Sequence, residues 1–234
     1  MLKDNLQKLQ EKIYSTCQKI GRNPSEIVLV AVTKNVSVEK IKEVISSGVR
    51  NIGENRIQEA IKKYEELAKS QELRAKSNSV EWHMVGHLQR NKVKYAVKIF
   101  NLIQSVDDFE LAEEISQQAK KINKIQDCLI EVKVSPEATK YGCPPDKVEE
   151  LIKQTNQLIN IRIRGLMAMA PFFENPEETR PYFRQAKKLF DKVRSTFNFQ
   201  LSTFNFLSMG MSNDFVIALE EGANMLRIGR AIFE

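Results

Sequence analysis

Between residues 27 and 229 the hydrophobic period switches repeatedly from short continuous apolar runs to amphipathic helical stretches, and this alternation limits the folds open to the chain. The first run, Ile27 to Val32, has strand length and no polar break, as in a strand covered on both faces within a parallel sheet. Helical spacing follows at once. Ser37 is a candidate N-cap, Val38, Ile41, Val44 and Ile45 share a face, and Gly48 ends the pattern. Strands are expected near 27–33, 49–53, 80–85, 99–105, 126–134, 161–168, 203–208 and 225–229. Helix starts between them include Asp107 before Leu111, Pro144-Pro145-Asp146 before Val148, and Asn175-Pro176-Glu177-Glu178 before Tyr182. Eight strands alternating with helices favour a (β/α)8 barrel. A doubly wound sheet usually has fewer strands and a glycine-rich first turn, whereas the first turn here is Val32-Thr33-Lys34-Asn35-Val36.

Leu2, Leu6, Leu9, Ile13, Cys17 and Ile20 follow helical spacing until Gly21 and Pro24, so one long helix precedes the first strand. The sequence runs only a few residues past the last expected strand, and the N-terminal helix is expected to take the place of the eighth barrel helix. No linker, low-complexity tract or internal repeat divides the chain, so residues 1–234 are read as one domain, with Ser70 to Ser79 a surface loop.

Composition narrows the functional classes. At 234 residues, 42% hydrophobic and 28% charged, the chain has the makeup of a globular protein. The net charge of +6 tolerates anionic ligands, but the cations are interspersed with acids such as Glu59, Glu65 and Glu66, so no nucleic-acid surface is expected. Cys17, Cys128 and Cys143 are an odd number without a CxxC spacing, which points to a reducing compartment and no disulfide framework. A charged N-terminus and the lack of eighteen successive apolar residues point to the cytoplasm, with no membrane partner.

In a barrel of this type the site lies at the carboxyl ends of the strands. Lys34 ends the first strand, where it could offer a nucleophilic amine for a Schiff base; a solvated surface lysine is the ordinary alternative. Ser208-Met209-Gly210-Met211-Ser212-Asn213-Asp214 reads as a strand end, a glycine turn and a helix start, bringing N–H groups and hydroxyls where a helix dipole is positive. Arg227-Ile228-Gly229-Arg230 adds amides and two guanidiniums from the last strand. The paired histidines His83 and His87 read as one packed and one loop residue, because no third metal ligand accompanies them. Asp107 and Asp108 read as helix caps, Met167 and Met169 as barrel core, and Lys140-Tyr141-Gly142 as a surface turn.

Six segments together resemble the pyridoxal-phosphate homeostasis protein family: Ala31-Val32-Thr33-Lys34, Ile52 to Glu59, Trp82 to Lys92, Arg164-Gly165-Leu166-Met167-Ala168, Leu207 to Ser212, and Arg227-Ile228-Gly229. They run in family order through nearly the whole chain. The resemblance implies a single barrel similar to the N-terminal domain of alanine racemase, with pyridoxal 5′-phosphate held as a Schiff base on Lys34. It further implies that Asn55 lines the pocket, that Ser208 and the Gly229-Arg230 amides hold the phosphate, and that Arg227 faces the pyridine nitrogen. Met209 is expected to pack against the ring. Arg230 departs from the family, which usually has serine or threonine there, so a hydroxyl contact to phosphate is lost.

The resemblance implies a cofactor-handling protein, a monomer acting in vitamin B6 homeostasis, with pyridoxal-phosphate-dependent apoenzymes as recipients. The alternative is an enzyme of the alanine racemase type with weak amino-acid racemase activity. Racemisation needs acid/base groups on both faces of the cofactor, and the racemase's second domain has no counterpart in this sequence. Tyr141 and His83 are the candidate bases. An arginine at the pyridine nitrogen also weakens the ring as an electron sink.

Overall fold

A computed structural model describes residues 1–69, 80–137, 141–197 and 203–234. The expected loop at Ser70 to Ser79, and Lys140 of the expected surface turn, lie outside the described residues. Eight parallel strands close into a barrel in chain order: β1 (Val28–Val32), β2 (Asn51–Glu54), β3 (Glu81–Met84), β4 (Leu102–Val106), β5 (Gln126–Val132), β6 (Ile161–Ala168), β7 (Phe206–Ser208) and β8 (Met225–Ile228). Closure is direct, with Val30 of β1 opposite both Asn51 of β2 and Arg227 of β8.

The outer layer contains α1 (Leu2–Lys19), α2 (Val38–Ser46), α3 (Ile57–Lys69), α4 (Val93–Ile99), α5 (Phe109–Lys120), α6 (Val148–Thr155), α7 (Arg180–Thr196), α8 (Phe215–Glu220) and the single turn α9 (Arg230–Phe233). Helix α1 buries the expected Leu2, Leu6, Leu9, Ile13 and Cys17, and packs against α2, α8 and α9. It therefore fills the space between the helices that follow β8 and β1.

Strand alternation produces two cores. The larger lies between sheet and helices, and the smaller fills the barrel with Val30, Val85, Leu102, Leu129, Met167 and Met225. The inner core is unusually polar on one side, because Gln104, Glu131, Ser208 and Arg227 are also buried. All three cysteines are buried and unpaired, and no described helix is long and apolar enough to cross a membrane.

The start of the fourth strand and the capping of α5 differ from expectation, and other strand bounds shift by up to three residues, β7 beginning at Phe206 and not at 203. The fourth strand begins at Leu102, not at residue 99, because Val93, Ala96, Val97 and Phe100 carry a helical stripe that keeps α4 intact to Ile99. Only Asp108 caps α5, accepting a hydrogen bond from the Leu111 amide at 2.6 Å. Asp107 instead is half-buried, and burial together with the neighbouring Asp108 raises its carboxyl above the usual range.

Candidate functional site

The carboxyl ends of β1, β2, β3, β6, β7 and β8 surround one hollow, lined on one side by Lys34, Asn55, Arg227, Gly229 and Arg230. Met211, Ser212, Asn213 and Asp214 add the turn after β7, next to the end of β8, with Val32, Val85, Met169, Phe172 and Phe173 supplying apolar wall. Five residues singled out in the sequence thus meet in one place. Lys34 stands exposed at the rim, one residue beyond the buried Thr33 and one before Asn35, whose backbone takes a left-handed φ of 60°.

The floor is a chain of buried polar groups. Arg227 donates to Ser208 Oγ at 2.7 Å and to the Ala168 carbonyl at 3.0 Å, while Ser208 Oγ donates to Gln104 Oε1 at 2.7 Å. Gln104 in turn meets His83 Nδ1 at 2.9 Å. Burial lowers the Arg227 pKa to about 10, with Glu131 and Asp214 acting in the opposite direction, so the guanidinium stays cationic at neutral pH. Glu131, buried on β5, is pushed up to about 7 by desolvation and by Asp107, against the pull of Arg227.

The turn after β7 is held from within. Asp214 accepts a hydrogen bond from the Met211 amide at 2.6 Å, and Ser212 Oγ accepts one from the Ala231 amide at 3.2 Å, tying this turn to α9. Gly210 has a φ of +95°, and a Cβ there would lie 2.6 Å from Ala218 Cβ, so the turn requires glycine.

Several expected positions differ. Ser208 does not line the hollow; its hydroxyl is engaged one layer below, with Gln104 and Arg227. Met209 is fully buried in the core between sheet and helices, because adjacent strand residues face opposite ways and Ser208 takes the inward position. The expected packing of Met209 against a ring is therefore corrected. Met169 packs against the inner core beside Met167 as expected, but it is only half-buried and also lines the hollow. His83 is not at the mouth. It is buried between Asn51 and Gln104, with its pKa pulled down to about 3 by burial, and it lines a recess at the opposite end of the barrel.

Tyr141 does stand at the mouth, exposed and stacked on His87 with ring centroids 3.7 Å apart. No group of three potential metal ligands occurs among the described residues. Ser212, one of the two hydroxyls expected from the turn after the seventh strand, does line the hollow; sequence reasoning missed Phe172, Phe173 and the buried acid Glu131. The two phenylalanines follow the end of β6, where strand-end position is a usable signal; Glu131 sits in an apolar run that offered none.

The family model described as alanine racemase, N-terminal domain, matches residues 2–234. The pyridoxal phosphate homeostasis protein of Aquifex aeolicus is 43% identical over 98% of this chain and 96% of its own length. That of Escherichia coli strain K12 is 33% identical over 98% and 94%. The solved structure of PipY from Synechococcus elongatus with PLP bound covers 100% of both chains at 32% identity and a TM-score of 0.85. An alanine racemase of Clostridium difficile, 16% identical with a TM-score of 0.68 over 96% of this chain and 56% of its own, shares the barrel fold.

Proposed function

The chain belongs to the alanine racemase N-terminal domain family, and we propose that it binds pyridoxal 5′-phosphate through Lys34 and serves intracellular vitamin B6 homeostasis as a carrier. The observation carrying this reading is the meeting of an exposed lysine, a buried arginine and two strand-end turns around one hollow. The group's aldehyde supplies the electrophile with which a lysine amine condenses.

The residues fit that cofactor. Lys34, Arg227 and Arg230 provide positive charge for a phosphate-bearing molecule, against the single lining carboxylate of Asp214. Asn55 Oδ1 is buried without a hydrogen-bond partner at the wall of the hollow, an acceptor awaiting a donor. Val32, Val85, Met169 and Phe173 offer apolar contact to a planar ring. The phosphate role would fall to the Ser212 hydroxyl and the amides of Gly229 and Arg230, while Ser208 holds the Arg227 guanidinium. Arg227, in the place the resemblance gives it facing the pyridine nitrogen, would keep that nitrogen unprotonated, a poor setting for carbanion chemistry.

The same features support carriage over turnover. His83 is withdrawn from the mouth, which leaves Tyr141 as the candidate base for the alternative reading, a weak racemase. The protein is proposed to work as a monomeric single-domain barrel over residues 1–234 in the cytoplasm, with pyridoxal-phosphate-dependent apoenzymes as recipients. Titration with pyridoxal phosphate is expected to give one equivalent bound and transfer of the cofactor to an added apoenzyme. Steady conversion of L- to D-alanine by the loaded protein, lost in Tyr141→Phe, would establish the racemase instead.

A further inference from the structure

Lys34 lies in a segment of five residues that has left β1 and not yet entered α2, a place where a chain is usually free to move. Here both peptide groups flanking its Cα are gripped by one helix. On the preceding side, Lys63 of α3 donates to the Thr33 carbonyl at 2.7 Å. On the following side, Glu59 of the same helix accepts from the Asn35 amide at 3.3 Å. The two helical residues are themselves four apart, with Lys63 Nζ 3.6 Å from Glu59, so they lie on one face of α3.

The grip is anchored in the interior. Lys63 also donates to Glu54 Oε1 at 2.8 Å, and Glu54 at the end of β2 accepts from the Thr33 hydroxyl. Thr33 is in addition tied to the Gly53 carbonyl through its amide at 2.9 Å. Thr33 and Glu54 are fully buried, and Lys63 is 9% exposed. A buried ammonium and carboxylate in contact are costly to desolvate and are better explained by what they hold in place than by stability. What they hold is the backbone on either side of Lys34.

We infer that Lys63 and Glu59 of α3, anchored through Glu54, are positioning residues that fix the backbone at Lys34 and aim its amine across the mouth of the barrel. This rests on the proposed role of Lys34, and it adds a determinant outside the hollow. Lys63 and Glu59 do not line the hollow, so their effect on cofactor capture is indirect, through the backbone of residues 33–35 that they hold. A fixed Cα shortens the search of a flexible four-carbon side chain for the aldehyde.

Two readouts test it. Amide hydrogen exchange on the cofactor-free protein reports residues 34–36 directly; in Glu59→Ala and in Lys63→Met these amides are expected to exchange about tenfold faster, with those of β8 unchanged. The rate of capture of pyridoxal phosphate, followed by its visible absorbance, is expected to fall severalfold in both, while Glu59→Gln, whose amide oxygen still accepts a hydrogen bond, recovers most of the loss. Lys63→Met leaves Glu54 short of a partner, so failure to fold would itself mark the residue as structural and overturn its positioning role. Glu59→Ala, at a partly exposed position, then decides the case for α3. Unchanged exchange at residues 34–36 in a folded Glu59→Ala protein would overturn the inference. If the parent protein captures no cofactor, the assignment of Lys34 fails while the exchange data still judge the grip.

Discussion

Replacing Glu131 by glutamine should stabilise the protein above neutral pH, and by an amount that depends on pH in a defined direction. Glu131 is 2% exposed on β5, with its pKa raised from 4.5 to about 7. Desolvation is the largest cause, repulsion from Asp107 adds to it, and attraction to Arg227 offsets part. Because the folded pKa lies above the unfolded one, the folded state binds the extra proton between about pH 4.5 and 7. Stability from this group is complete below the unfolded value and is lost as pH rises through about 7. The shift of roughly 2.5 units, at 1.36 kcal/mol per unit, amounts to about 3 kcal/mol. Glutamine mimics the protonated acid and has nothing to lose. The difference in unfolding free energy between Glu131→Gln and the parent, measured by urea denaturation from pH 4.5 to 8.5, should therefore grow by about 3 kcal/mol in favour of the variant. A difference that stays level across that range would refute the assignment of a buried, proton-bound Glu131.

Other substitutions probe separate parts of the molecule. Gly165→Ala places a Cβ 1.8 Å from the Phe206 carbonyl oxygen at a φ of +153°, so it should destabilise by about 3 kcal/mol or more, read as a large drop in thermal midpoint or loss of folded protein. Asp108→Ala removes the cap of α5 and should cost about 1 kcal/mol in urea unfolding. Arg230→Ala removes an exposed guanidinium but keeps the backbone amide, so affinity for pyridoxal phosphate should fall less than about tenfold, with the loss shrinking at high salt.

Much of the architecture was legible because a parallel barrel writes itself as a two-sided apolar strand followed by a one-sided helix. The segment Ile161 to Ala168 was expected as a strand and is one at those same bounds. Boundaries slipped where one apolar stretch serves two elements in turn, as between Val93 and Leu102. Lys34, Arg227 and Gly229 could be located because strand ends point to the mouth. Side-chain direction was harder. Ser208 and Met209 are neighbours at a strand end, and only the register of β7 against β6 and β8 decides which faces inward. The link from α3 to the backbone around Lys34 joins residues 24 and 30 positions apart, and no local pattern announces it.

The most direct test of the central claim joins covalent trapping to site mapping. Pyridoxal phosphate is added to the protein, the mixture is reduced with borohydride, and the peptides are mapped by mass spectrometry. One pyridoxyl group on Lys34, with the visible absorbance lost on reduction and absent in Lys34→Ala, is the expected result. A protein that stays colourless and unmodified, or that carries the label on surface lysines while Lys34 remains free, would contradict the claim that this barrel holds the cofactor through Lys34.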